Sequence, residues 1–124
     1  MQHDPRKLLQ DILDRATSIE RCVAGKDLAA YQVDEVLRFA VERQFEIIGE
    51  AVSRLLKVDA ALAARLTDYR KIIDFRNAIT HGYDFVDDAL VWDAVTAKLP
   101  ILEREVQALL SKQNSSAPPA GGNG

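Results

Sequence analysis

The sequence predicts an all-α domain, and three observations carry that prediction: a helix-favouring composition, apolar residues recurring at three- and four-residue spacing, and no credible strand or internal repeat. Of the 124 residues, 48% are hydrophobic and 28% charged, with only 6 Gly and 4 Pro. A single chain of this length buries roughly two-thirds of its unfolded surface, so its core needs neither a disulfide nor a metal. We expect one helical domain over residues 1–112 and a tail, 113–124, rich in Ser, Pro and Gly, with nothing to bury.

Asp4-Pro5 is a helix start, an N-cap residue followed by proline in the first turn. Leu8, Leu9, Ile12, Leu13, Ala16, Ile19 and Val23 then place a first helix over about residues 5–24, with Gly25 at a left-handed C-terminal cap and Asp27 capping the next start. The second helix is expected to be the longest, from Leu28 to about Lys57. Its wide apolar stripe includes Tyr31, Val41, Ile48 and Leu55, and Gly49 in its middle suggests close approach of another helix. A short helix follows from Val58 or Asp59 to Leu66, and Thr67-Asp68 can cap a fourth that holds Ile72, Phe75, Arg76 and Ile79 and ends near Thr80–Gly82. Asp87-Asp88 open a last helix through Leu110 that Pro100 should kink rather than stop, because the apolar period continues on both sides.

The net charge of −3 argues against a protein that coats nucleic acid through a general positive field, and no DNA partner is expected. A confined basic site remains open. The lone Cys22 reads as a small core residue in a reducing compartment. With no signal peptide pattern and no run long enough to span a membrane, a cytoplasmic protein is expected.

Chemistry concentrates in Arg76-Asn77-Ala78-Ile79-Thr80-His81-Gly82-Tyr83, which sets a fixed cation, a carboxamide, an imidazole and a phenol at the end of an apolar helix. Helix capping explains part of it: a cation near the negative end of the dipole, and Gly82 in the left-handed position. It leaves Arg76 and Asn77 unassigned. At 100° per residue Asn77 and His81 share a face, whereas Arg76 lies about 140° from His81. Three arrangements bring Arg76 and His81 together: unwinding near Thr80, an arginine that reaches around, or a substrate met from two subunits of a homodimer. Such a set suits phosphodiester chemistry without a metal. Imidazole can move a proton to or from a ribose hydroxyl or a leaving oxygen, and guanidinium can clamp phosphate. No cluster with divalent-metal spacing accompanies the motif, and no cofactor is called for. The acidic row Glu42–Glu46–Glu50 reads as a solvated face partly balanced by Arg38 and Arg43. Its alternative is that Glu46 or Glu50, with Arg38, lines a polar cleft.

Arg76-Asn77-x-x-x-His81-x-Tyr83 resembles the R-x4-H-x-Y signature of HEPN-domain ribonucleases, in particular the HepT toxins of MNT–HEPN toxin–antitoxin modules. The likeness covers roughly residues 5–111 and includes Ile48-Gly49-Glu50-Ala51 with Arg38 upstream, and Val91-Trp92 followed by Leu99-Pro100. It implies a HEPN bundle of four or five helices with a long second helix, dimerising around a shared cleft. It further implies a metal-independent RNA endonuclease, the toxin of a type VII-like module, with Arg76 and His81 catalytic and Asn77 supporting them. The implied antitoxin is a nucleotidyltransferase that places AMP on Tyr83, adding charge and bulk that exclude RNA. A non-catalytic HEPN module that binds a nucleotide or regulates such a transferase is the competing reading, and a purely structural helix cap is the third.

Overall fold

Aspartates open the helices of this chain in the computed structural model, which describes residues 4–82 and 86–116, with side chains through Lys112. Helix α1 (Pro5–Val23) starts at Asp4, whose carboxylate accepts from the Arg6 N–H at 2.9 Å. Helix α2 (Leu28–Val33) is capped by Asp27 on Ala30 N at 2.9 Å, and α3 (Glu35–Val58) by Asp34 on Leu37 N at 3.0 Å. Asp59 caps α4 (Ala60–Ala63) on Leu62 N at 3.0 Å, and Asp87 caps α6 (Asp88–Asp93) on Ala89 N at 2.9 Å. Each such cap satisfies an N–H that has no partner inside its helix and contributes about 1 kcal/mol. Among the described residues there is no strand, and the all-α prediction holds.

Asp34 breaks what the apolar period joins. The expected helix from Leu28 to Lys57 is two helices, because Asp34 leaves helical geometry (φ −108°, ψ 95°) to cap α3. The long helix is therefore third in order. Asp68 departs from expectation as well: it precedes α5 (Tyr69–His81) in the left-handed region at φ 56° and makes no side-chain cap. The loop is held instead by Glu105, which accepts from the Thr67 N–H at 2.9 Å and from its hydroxyl. Gly25 does adopt the left-handed conformation, φ 75°, after α1.

Past α6 the helix widens into a π-type stretch, Ala94–Lys98, before α7 (Leu99–Ser116). Pro100 has no N–H to donate and its ring crowds the preceding turn, which accounts for the added room one turn upstream; as expected, the helix continues through the proline rather than stopping. The Leu99 N–H reaches Ala94 O, and the Thr96 hydroxyl donates to Trp92 O at 3.0 Å. Helix α7 runs four residues past Lys112; the remainder of the expected tail lies outside the described residues.

The core sits around α3, which packs on α1 and α5, while α7 packs on α1. Leu9, Ile12, Ile19, Val41, Val52, Leu55, Val91 and Val106 are all but inaccessible. Gln44, on the apolar stripe of α3, is satisfied by Arg15 at 3.3 Å and by the Cys22 sulfur at 3.8 Å. Tyr31 is buried with its ring 5.3 Å from that of Trp92; burial, and then the carboxylates of Glu42 and Asp88, hold its phenol protonated.

One carboxyl pair strains the α1–α7 contact. Glu103 Oε1 is buried without a hydrogen-bond partner among the described residues, and a proton on Glu103 lets its carboxyl donate to Glu20. Burial first, and then Glu20, push the Glu103 carboxyl up to about 7. A carboxyl raised in the folded state stabilises at low pH, and that contribution is lost as pH climbs from 4.5 through about 7. Glu103→Gln, which keeps a donor for Glu20 at every pH, is therefore expected to raise Tm by a few degrees at pH 8 and to leave it little changed at pH 4.5. Discounted for partial exposure, this is on the order of 1 kcal/mol. Thermal unfolding of both proteins across that range checks it; parallel pH profiles would show that Glu103 does not titrate with folding.

Candidate active site

Helix α5 can lie against α3 because Gly49 has no side chain. A Cβ at Gly49 would stand 2.2 Å from Arg76 Cβ, 2.7 Å from Arg76 Cγ and 3.3 Å from the Ile72 carbonyl oxygen. The stem of Arg76 thus rests on the α3 backbone, as the mid-helix glycine suggested. Phe45 and Phe75 meet edge to face at 5.2 Å, and Ile79 is buried; these contacts lock the pairing of the two helices.

From that seat the guanidinium is held on two sides. Arg76 Nη1 donates to Asn77 Oδ1 at 2.8 Å, and Nη2 lies 3.4 Å from Glu50 Oε2. Glu50 also takes Arg54 Nε at 3.2 Å. One turn beyond Arg76, the Thr80 hydroxyl donates to Glu46 Oε2 at 2.8 Å. The facing side chains line an open cleft of about 490 Å³, completed by Arg43 and Ile47 of α3 and by Leu8 and Asp11 of α1.

The acidic row is not a uniform solvated face. Glu46 and Glu50 turn toward α5 and line the cleft. Glu42, half-buried a turn earlier, has its carboxyl pushed up by burial and by the Asp88 carboxylate. Arg38 does not line the cleft: it sits near the start of α3, where its guanidinium donates to the Gln32 carbonyl. Arg43 lines the cleft without an ion pair among the described residues.

His81 is the last residue of α5 and is exposed. The helix stays regular through it, so Thr80 does not unwind to bring Arg76 and His81 together. Arg76 donates to Asn77 Oδ1, and Asn77 lies one turn before His81 on the same face of α5. Gly82 ends the helix with φ −77° and ψ −1°, so the left-handed cap expected there is not formed. Tyr83 lies outside the described residues. Sequence reasoning missed Thr80 and Asp11 as cleft residues. Thr80 carried a signal, standing four residues after Arg76; Asp11 carried none, since only the packing of α1 on α3 brings it there.

None of the described helices is long and apolar enough to cross a membrane. The fold and the cleft define a small helical-bundle protein whose α5 presents an arginine to a charged opening and carries a histidine five residues on, at its exposed end and outside the residues that line the cleft. Residues 12–109 match the family model described as Ribonuclease HepT-like, and the chain belongs to that family. It is similar to a Caldanaerobacter subterraneus subsp. tengcongensis protein named "Putative RNase", 30% identical over 109 residues that make up 88% of this chain and 96% of that protein. A Methanocaldococcus jannaschii protein of the same name is 29% identical over 106 residues, 86% of this chain and 96% of its own length. A Thermococcus cleftensis protein named "Probable ribonuclease HepT" is 28% identical over 109 residues, 88% of this chain and 98% of its own. No solved structure matches the chain.

Proposed function

We propose that this protein is a metal-independent RNA endonuclease and the toxin of a toxin–antitoxin pair, acting from a homodimer. The observation that carries the reading is the seat of Arg76: its stem is fixed on α3 while its guanidinium stands at an open cleft, tied among the described residues to exposed Asn77 and half-exposed Glu50. An ion pair this exposed is worth about 0–1 kcal/mol, so an RNA phosphate can displace Glu50 at little cost. In the reaction His81 takes the proton of a ribose 2′-hydroxyl, whose oxygen attacks the adjacent phosphorus. The 5′-oxygen leaves and takes a proton from water, giving a 2′,3′-cyclic phosphate and a 5′-hydroxyl, and His81 returns its proton to solvent. Arg76 stabilises the charge that builds on the phosphoryl oxygens, and Asn77 orients the guanidinium.

Two features support a dimer. Within one chain α5 stays regular, so Arg76 and His81 do not stack. Val33, Val36 and Phe39 are 85%, 79% and 60% exposed, an apolar patch where α3 begins, and the side of α3 that carries Val36 and Phe39 continues through Arg43 to Glu50 at the cleft. A second copy seated on this patch brings its own motif to the same opening. The antitoxin in this reading is a nucleotidyltransferase that transfers AMP from ATP to Tyr83, two residues from His81, where the added phosphate repels RNA. One observation favours the competing, non-catalytic binding role: the cleft's carboxylates and guanidinium groups are equal in number, three of each.

Expression of the chain alone, beside His81→Ala, separates the two. Arrested growth and new 5′-hydroxyl and 2′,3′-cyclic phosphate ends only with His81 intact are expected. Unbroken RNA with both proteins, each soluble and dimeric, would move the assignment to the binding module.

A further inference from the structure

We infer that Arg43 is a second phosphate-binding residue of the cleft, which holds the RNA backbone beside the phosphate engaged by Arg76; the inference rests on the ribonuclease reading. The cleft's charges are unequally committed. Asp11 holds Lys7 at 2.6 Å, Glu50 holds both Arg54 and Arg76, and Glu46 accepts from Thr80. Arg43 lines the same opening, is exposed, and has neither an ion pair nor a hydrogen bond among the described residues. The sequence suggested that it offsets the acidic row; in the fold Glu46 accepts from Thr80, and Glu50 pairs with Arg54 and Arg76.

This difference matters for an acidic chain. Arg76 must exchange one anion for another when RNA arrives, so much of its attraction is already spent on Glu50. Arg43 makes no such exchange, and its guanidinium fork meets phosphate with its full charge. Its position fits a strand running along α3. Arg43 and Glu50 are seven residues apart, nearly on one face, which sets them about 10 Å apart along the helix. One or two nucleotides of single strand bridge that separation. The cleft, neutral in sum, thereby has a cationic end at Arg43 and a self-paired end at Arg76 that opens on binding.

The test is binding, measured apart from cleavage. A short single-stranded 2′-O-methyl oligonucleotide has no 2′-hydroxyl to react, and its affinity for the full-length protein is measured against salt. For single strands each phosphate that the protein neutralises adds about 0.7 to the steepness of log affinity against log salt. Arg43→Gln is expected to weaken binding several-fold at low salt and to flatten the slope by about that amount, and Arg43→Lys to restore most of the slope. Arg43 is exposed, so neither change should shift Tm. An unchanged slope in Arg43→Gln overturns the inference and leaves the ribonuclease reading standing. Conversion of Arg43→Gln to a monomer overturns it too, by making Arg43 an interface residue. A wild-type protein that cleaves no RNA and does not bind the oligonucleotide removes both readings.

Discussion

Replacing Arg76 by alanine is expected to lower RNA cleavage by about 10²–10³-fold, the usual effect of removing one preorganised donor from a developing oxyanion, with little change in Tm. The small stability effect follows from the polar end of the side chain: beyond the stem that rests on Gly49, Arg76 makes, among the described residues, one neighbouring hydrogen bond and one half-exposed ion pair. Arg76→Lys should recover little, since an ammonium cannot bridge Asn77 and a phosphate with the same fork. Cleavage of a defined oligoribonucleotide gives the rates. Full activity in Arg76→Ala would take the arginine out of the chemistry. A mixing experiment then decides between the two arrangements that the regular α5 leaves open. Chains carrying Arg76→Ala and chains carrying His81→Ala are each inactive, but in a mixed dimer one intact arginine meets one intact histidine from the other subunit. Recovered cleavage places the pair across the interface. No recovery, with mixed dimers demonstrated by mass, means that Arg76 serves its own chain, through the reach toward Asn77.

The local chemistry of this fold is legible in the sequence and its tertiary consequences are not. Aspartate caps stand out at Asp4, Asp27, Asp59 and Asp87, because a side chain two or three residues before an N–H is a local matter. Asp34 is hidden, since Tyr31, Val33, Val36 and Leu37 keep a helical period across it, and periodicity cannot see a carboxylate leaving the helix to cap the next one. Asp68 misleads for the opposite reason. A cap-forming residue type stands in the right place, but Glu105, 37 residues away in sequence, takes hold of the loop through Thr67. Pro100 announces a disturbance but not its form. At the site, the motif and Gly49 are visible, whereas Asp11 and the unpaired state of Arg43 among the described residues emerge only when α1, α3 and α5 pack together.

Gly49→Ala is expected to lose both stability and activity, in contrast to Arg76→Ala. Two effects oppose each other. In an exposed helix interior, alanine is favoured over glycine by about 1 kcal/mol. At Gly49, however, the new Cβ meets Arg76 Cβ at 2.2 Å, an atom fixed to the α5 backbone, so no rotamer change relieves it and the helix itself must move. Overpacking of this kind costs about 1–3 kcal/mol, enough to overcome the propensity gain. Tm should fall by several degrees, and RNA cleavage should fall at least tenfold, because a displaced α5 moves Arg76 out of the seat that α3 gives it at the cleft. Combining Gly49→Ala with Arg76→Ala tells backbone from side chain. Alanine at position 76 keeps the offending Cβ and removes only the Cγ that stands at 2.7 Å, so the double variant should stay nearly as unstable as Gly49→Ala alone. Stability restored by Arg76→Ala would show that the long side chain, rather than the helix backbone, sets the spacing of α3 and α5; a Gly49→Ala protein more stable than the original would show that the two helices are not in contact there.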